Sequence, residues 1–183
     1  MTAVGIDVET KGLEVFLDAA PKKTSIALLR ALKRGTKSAA THANRVAAKD
    51  MGLKVGDVRK RIRVKPPNGQ TLSGELRPSL SRIPIIEFGA KGPRPSRGRG
   101  RGISYRSGSG RKTNPNAFFA TLGNREGVHE REGRSRTPTR ELFGPSVGRV
   151  VDLHRNEIMA RGEEVVTAEI DRQLKRIFGG VGA

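Results

Sequence analysis

Enzyme chemistry would have to begin from histidines, cysteines or paired carboxylates, and this chain offers few. His42, His129 and His154 are its three histidines, and it contains no cysteine. Without cysteine there is no disulfide, thiolate metal site or cysteine nucleophile. His154 and Glu157 form an H-x-x-E pair, but no second histidine stands at metal-binding spacing. On a charged helix His154 reads as solvated. Gly108, Gly110, Arg111, Lys112 and Thr113 approach the composition of a phosphate-binding loop. That loop needs glycine directly before the lysine and a helix directly after it. Here Arg111 intervenes, and Pro115 blocks a smooth helix start. Gly98, Gly100 and Gly102 alternate with arginine and open no helix, unlike a dinucleotide turn. No carboxylates pair. The sequence predicts no active site, no cofactor and no metal.

Binding chemistry is better represented. From Lys91 to Lys112 the chain reads KGPRPSRGRGRGISYRSGSGRK, without one acidic residue. Its cations are Lys91, Arg94, Arg97, Arg99, Arg101, Arg106, Arg111 and Lys112. Its glycines disfavour helix and strand because they lose the most conformational freedom on ordering. Pro93 and Pro95 each remove a backbone donor. The expected result is an extended basic arm, reaching roughly 35 Å when folded back at about 3.3 Å per residue. Two readings stand: a solvated surface loop, or an arm that meets a polyanion. Arginine interleaved with glycine tracks phosphates without reading sequence, and Tyr105 is placed to stack on a base. No compact DNA-reading motif is present.

Composition supports a charged partner. There are 36 basic against 18 acidic residues, a formal charge of +18. A field of that sign attracts nucleic acid, anionic membrane or acidic protein. No apolar run approaches the roughly 20 residues that span a bilayer, so membrane is the weakest of the three. The segment MTAVGIDVETKGLEV carries Asp7, Glu9 and Glu14 and does not read as a signal peptide. A hydrophobic fraction of 34% is low for a self-sufficient globule. An oligomer that completes its burial against neighbours is expected, with a solitary core and long tails as the competing form.

The elements that position these residues follow from periodicity. Leu13, Val15, Phe16 and Leu17 suggest a strand or a first helical turn. After Pro21, with Thr24 or Ser25 as N-cap, a helix should run to Lys49. Leu28, Leu32, Gly35, Ala39, Ala43 and Val46 form its buried face. Arg30, Lys33, Arg34, Lys37 and Arg45 lie on its other face, and Gly52 is the left-handed C-cap. Asp57 caps a short helix from Val58 to Arg61, and strand-like Ile62 to Val64 follows. Gln70 to Leu76 and Ile83 to Phe88 read as strands, Pro84 confining the second to an edge or to a start at Ile85. Ala117 to Leu122 and Gly127 to Arg131 form a hairpin through Gly123 to Glu126. Helices follow at Val147 to Leu153 and from about Asn156 to Phe178. The apolar stripe of the last contains Ile158, Gly162, Val165, Val166, Ile170, Leu174 and Ile177. Gly162 suggests a bend or a close contact.

The fold class is α+β: a small antiparallel sheet packed against a long N-terminal and a long C-terminal helix. One structural domain is expected in three stretches. Residues 1–90 hold the N-terminal helix and first strands, 91–112 the basic Arg/Gly arm, and 113–183 the strand hairpin and C-terminal helix.

The most distinctive text lies between Arg111 and Val147: R-K-T-N-P-N-A-F-F-A-T-L, then G-V-H-E-R-E-G, then T-P-T-R-E-L-F-G-P-S-V. It resembles the minor tail protein Z family of tailed bacteriophages, also called tail completion proteins. The resemblance runs in order over most of residues 11 to 178. It takes in Gly12, Leu13 and Glu14, then Asn44 to Ala47, the basic Arg59 to Lys65, and Ile83 to Gly89. The basic Gly-rich loop and the C-terminal helix complete it. P-x-R-E-L-x-G-P-S is its most specific element. The chain departs from the family pattern at Thr139, where an aliphatic residue is common, and at Asn116 in place of glycine.

The resemblance implies a non-enzymatic virion structural protein, assembled in the host cytoplasm and placed in the tail or neck. There it completes the head-proximal end of the tail for joining to the head. Copies around a tail tube close into a ring through heterologous contacts, with six the favoured number. The implied partners are tail-tube or terminator proteins, head–tail connector proteins and virion double-stranded DNA. Arg94, Arg97, Arg99, Arg101, Arg106, Arg111 and Lys112 would then face duplex or clamp adjacent subunits. Phe118, Phe119, Leu142, Phe143 and Pro145 become candidate protein contacts. The last three also read as a simple turn from sheet to helix. The alternative function is a free, sequence-independent nucleic-acid-binding protein. Ring-sized assembly favours the first reading, and tight, salt-sensitive DNA binding by a lone monomer the second.

Overall fold

Helix α1 runs from Pro21 to Met51, about 46 Å at 1.5 Å per residue. The computed structural model describes residues 4–6, 21–69, 72–93, 102–133, 135 and 137–178. The apolar segment expected at Leu13 to Leu17 lies outside them. Pro21 occupies the first helical position, where a missing N–H leaves no bond unmade. Thr24 and Ser25 therefore lie inside the helix and do not cap it.

The buried positions of α1 recur at three and four, from Leu28 and Leu32 through Ala39, Ala43 and Ala47 to Met51. Val46, expected in this stripe, sits half-buried on its flank. Gly52 ends the helix at φ 69, as expected. Its N–H donates to Lys49 O at 3.3 Å, and Leu53 N–H to Ala48 O at 3.0 Å. These two bonds satisfy carbonyls that a helix end leaves orphaned.

Helix α2, Val55–Arg59, starts earlier than expected, and Asp57 lies in its first turn without capping it. Strands β1 (Val4–Ile6), β2 (Ile62–Lys65) and β3 (Gly74–Pro78) form an antiparallel sheet in the order β1-β3-β2. Its first strand was not anticipated.

The strand expected from Ile83 to Phe88 is corrected. Strand β4 is only Arg82–Pro84, and Ile85–Phe88 is a 3₁₀ turn closed by Gly89 at φ 63. Pro84 cannot donate to a ladder. The 3₁₀ geometry eclipses residues three apart, so Ile85 and Phe88 both reach the core.

Strands β5 (Ile103–Ser107) and β6 (Gly110–Asn114) form one hairpin, and β7 (Ala117–Leu122) and β8 (Arg125–Arg131) another. Leu122 pairs with Arg125, so the second turn is Gly123 and Asn124 alone, shorter than expected. Gly123 adopts φ 68 there, which two-residue hairpin turns favour. Strand β9 (Thr139–Glu141) joins β8, and β10 (Phe143–Ser146) pairs with β4. Ser146 Oγ then accepts from Arg149 N–H at 3.3 Å, capping α3 (Val147–Leu153). Helix α4 is Arg155–Phe178. The α+β class holds, with four small antiparallel sheets among the described residues in place of the single one expected.

The core has two parts. Leu28, Ala31 and Leu32 of α1 meet Val166 and Ile170 of α4. The lower half of α1, from Ala39 to Met51, packs on residues including Leu76, Ile83, Phe88, Ile103, Phe119, Val128 and Ile158. The long helices run antiparallel: Arg34 reaches Glu169 and His42 reaches Glu157. They meet most closely at Gly35, where an added Cβ would overlap Val166 and lie 2.9 Å from the carbonyl oxygen of Gly162. The role of Gly162 is thus close contact.

One carboxylate is buried in this helix pair. Glu169 accepts from Gln173 at 2.9 Å, Arg172 at 2.6 Å and Arg34 at 3.0 Å. The Gln173 hydrogen bond first, and Arg172 next, hold its carboxyl below the ordinary range.

Candidate nucleic-acid interface

Within the basic stretch, residues 103–107 and 110–114 pair as a β-hairpin, which corrects the expectation of an arm without strands. Gly102 and Gly108 stand at its bends, leaving the residues between them free to pair. Gly102 has φ 74 and Gly108 φ 61, the left-handed region glycine enters without Cβ strain. Between them Ile103 is fully buried, Tyr105 half-buried and Arg106 exposed. Tyr105 packs against the core and is not the free stacking platform expected. Lys91 N–H and C=O bond with Ser104 at 2.7 and 2.8 Å, so the hairpin is tied to the chain entering the basic segment.

The candidate cations divide three ways. Arg94, Arg97, Arg99 and Arg101 lie outside the described residues. Arg111 is turned onto its own subunit: one guanidinium nitrogen donates to Gly89 O at 3.1 Å and to Ser104 O at 2.9 Å. Arg106 and Lys112 are exposed and make no ion pair among the described residues. Arg106 and Arg111 border an open cleft of about 440 Å³ whose far wall is Lys49, Gly52 and Leu53 at the end of α1. The hairpin thereby meets a helix that sequence reasoning treated separately.

The candidate protein contacts also separate. Strand alternation turns Phe119 into the core, 5% exposed, which withdraws it from any surface. Phe118 lies half-buried on the other face. Its ring centroid is 6.4 Å from that of His129, and the Arg131 guanidinium sits 5.6 Å from its centre. Leu142 is half-buried and joins two sheets: its N–H donates to Val128 O at 2.8 Å, and its C=O accepts from Ile85 N–H at 2.9 Å. Phe143 and Pro145 are exposed.

His42 and His154 are partly exposed and share a carboxylate. Glu157 bridges His42 Nε2 at 2.9 Å and His154 Nδ1 at 3.4 Å, and His154 Nε2 lies 3.8 Å from Asp50. The His42 hydrogen bond is the main reason the Glu157 carboxyl lies below its ordinary range. The cluster ties α1 to the start of α4 across 115 residues of sequence, which spacing alone could not disclose. Among the described residues no group of histidines and carboxylates could hold a metal ion. Nor is any described helix long and apolar enough to cross a membrane.

These features define a class: an α+β subunit of two long paired helices and small open sheets, with a cationic surface. The family model for prophage minor tail protein Z (GPZ) matches residues 15–178. The chain belongs to that family of phage minor tail proteins, whose role is structural and whose place is the virion tail. No curated protein and no solved structure matches the chain.

Proposed function

We propose that this protein completes the head-proximal end of the phage tail as a non-enzymatic ring of six copies. In this reading the ring sits at the neck between tail-tube or terminator proteins and the head–tail connector, and its basic residues contact DNA in the lumen. The reading is carried by one observation, the match of residues 15–178 to a minor tail protein family.

The fold supports it physically. Strands β1, β2, β7 and β9 each have a sheet neighbour on one side only, among the described residues. Unpaired strand edges are templates for another chain. Leu80, Leu122 and Leu153 are 54%, 57% and 74% exposed, apolar area that neighbouring subunits would cover. Exposed Phe143 and Pro145, with the outer face of Phe118, are the contacts we assign to tail or connector proteins.

The test is assembly and location. Light scattering on the purified chain, alone and with isolated tails, should give a ring-sized species. Particles made without the protein should carry tails that fail to join heads. A lone monomer that binds DNA tightly and is missing from purified virions would replace this reading with a free nucleic-acid-binding protein.

A further inference from the structure

We propose that the exposed face of α1 is a second DNA-binding surface, a track for the phosphate backbone of duplex DNA that runs onto the β5–β6 hairpin. This deepens the lumen contact proposed above and rests on the DNA part of that reading alone, not on the ring. From Pro21 to Lys49 the basic residues are Lys22, Lys23, Arg30, Lys33, Arg34, Lys37, Arg45 and Lys49, and no acidic residue stands among them. Among the described residues only Arg34 has a carboxylate partner, Glu169. The others are all exposed and make no ion pair among the described residues.

Their spacing puts them on one side. Arg30, Lys33, Lys37, Arg45 and Lys49 advance in steps of three, four and eight, with Thr41 filling the long step, opposite the buried stripe. Lys33 and Lys37, and Arg45 and Lys49, are like charges four apart on the helix. Pairs so placed destabilise an isolated helix. Surface helices usually interleave acids and relieve this; α1 leaves the repulsion standing, as a surface does when its counter-charge comes from outside. From Lys22 to Lys49 the track is about 40 Å long at 1.5 Å per residue, against a duplex that carries one charge per about 1.7 Å of its axis. Lys49 and Arg106 border the same cleft, so the track does not stop at the helix end.

Among the described residues, a second copy of the chain offers this face little counter-charge. The described carboxylates with neither a hydrogen bond nor an ion pair are Glu132, Glu141, Glu163 and Asp171. They are fewer than the unpaired cations of α1 and are divided between the β8–β9 region and α4. Duplex DNA presents one charge per about 1.7 Å in an unbroken line.

The experiment uses the full chain and a fluorescent 30-base-pair duplex of mixed sequence (length chosen at about 30 to exceed the track). Binding is followed by anisotropy across a sodium chloride series. The variant Lys33→Gln/Lys37→Gln/Arg45→Gln/Lys49→Gln keeps good helix formers, and circular dichroism reports its fold. Four lost phosphate contacts should lower the slope of log K against log salt by about 3.6, and weaken binding on the order of a thousandfold at 0.1 M salt. The milder Lys33→Gln/Lys37→Gln should lower the slope by about 1.8, so a fold defect in the larger variant still leaves a reading.

Light scattering on the same samples separates the two proposals. A protein that never assembles yet shows these slope changes upholds the track and removes the ring. Failure of the wild type to bind duplex overturns the track, as does an unchanged slope in both variants. So does lost assembly with DNA binding intact, which would make the face a contact for protein.

Discussion

Gly35→Ala sets helix propensity against packing. At an exposed helical site, alanine in place of glycine stabilises by about 1 kcal/mol. At Gly35 the new Cβ would overlap Val166 and stand 2.9 Å from the backbone oxygen of Gly162. Valine in a helix has essentially one χ1 rotamer, and a backbone oxygen cannot swing aside, so α1 and α4 must part. Overpacking of this sort costs about 1–3 kcal/mol, and the two rigid neighbours place it near the top of that range. Net destabilisation of about 1–2 kcal/mol follows, or roughly 2–8 °C in Tm at about 2–4 °C per kcal/mol for a chain of this size. Thermal unfolding of the purified protein measures it, and Val166→Ala completes a double-mutant cycle. Removing the valine methyls should cost less in the Gly35→Ala background than in wild type, with a coupling of at least about 0.5 kcal/mol for residues in contact. A rise in Tm for Gly35→Ala would refute the reasoning, since propensity would then be acting with no helix pressed against it.

Two further outcomes test other parts of the structure. Because hydrogen bonds hold the Glu169 carboxyl below its ordinary 4.5 in the folded state, its contribution is present above about that pH and is lost as pH falls through the folded value. Urea titrations of wild type and Glu169→Gln should therefore differ at neutral pH and converge in acid, whereas a constant gap would mean the carboxylate charge is not what matters. Gly102→Ala forces a Cβ into the left-handed region and against Asn114 and Pro115. The backbone cost of about 1–2 kcal/mol should show as early protease cleavage within the β5–β6 hairpin, and an unaltered digestion pattern would argue that this turn is not as described.

What could be read from the sequence was what burial dictates locally. Apolar residues three and four apart, alanines and leucines in α1 and mainly isoleucines and valines in α4, fixed both long helices to within a few residues, and Gly52 marked a helix end because a left-handed cap needs it. Pairings between distant short strands were not legible. β4 meets β10 from the other side of the basic segment, and neither holds more than four residues, too few for an alternating pattern. The basic segment misled for a different reason. Its glycine content reads as disorder when averaged, but Gly102 and Gly108 stand where the hairpin bends, and the buried Ile103 between them anchors a strand.

The cations of α1 needed both levels. Their face was visible in the sequence, yet its meaning depended on whether α4 neutralised it. That helix carries Glu157, Glu163, Glu164, Glu169 and Asp171, and antiparallel packing could have laid acid against base along the whole length. It does not. Glu169 reaches Arg34, Glu157 is taken by the two histidines, and Glu164 pairs with Arg161 of its own helix at 2.6 Å. Glu163 and Asp171 make no ion pair among the described residues. The helix pair is held by apolar contact and a close glycine crossing, with Arg34–Glu169 and His42–Glu157 as isolated charged links. Among the described residues, then, Arg34 is the one α1 cation that serves the helix pair through an ion pair, and the duplex-binding test above asks what the others meet.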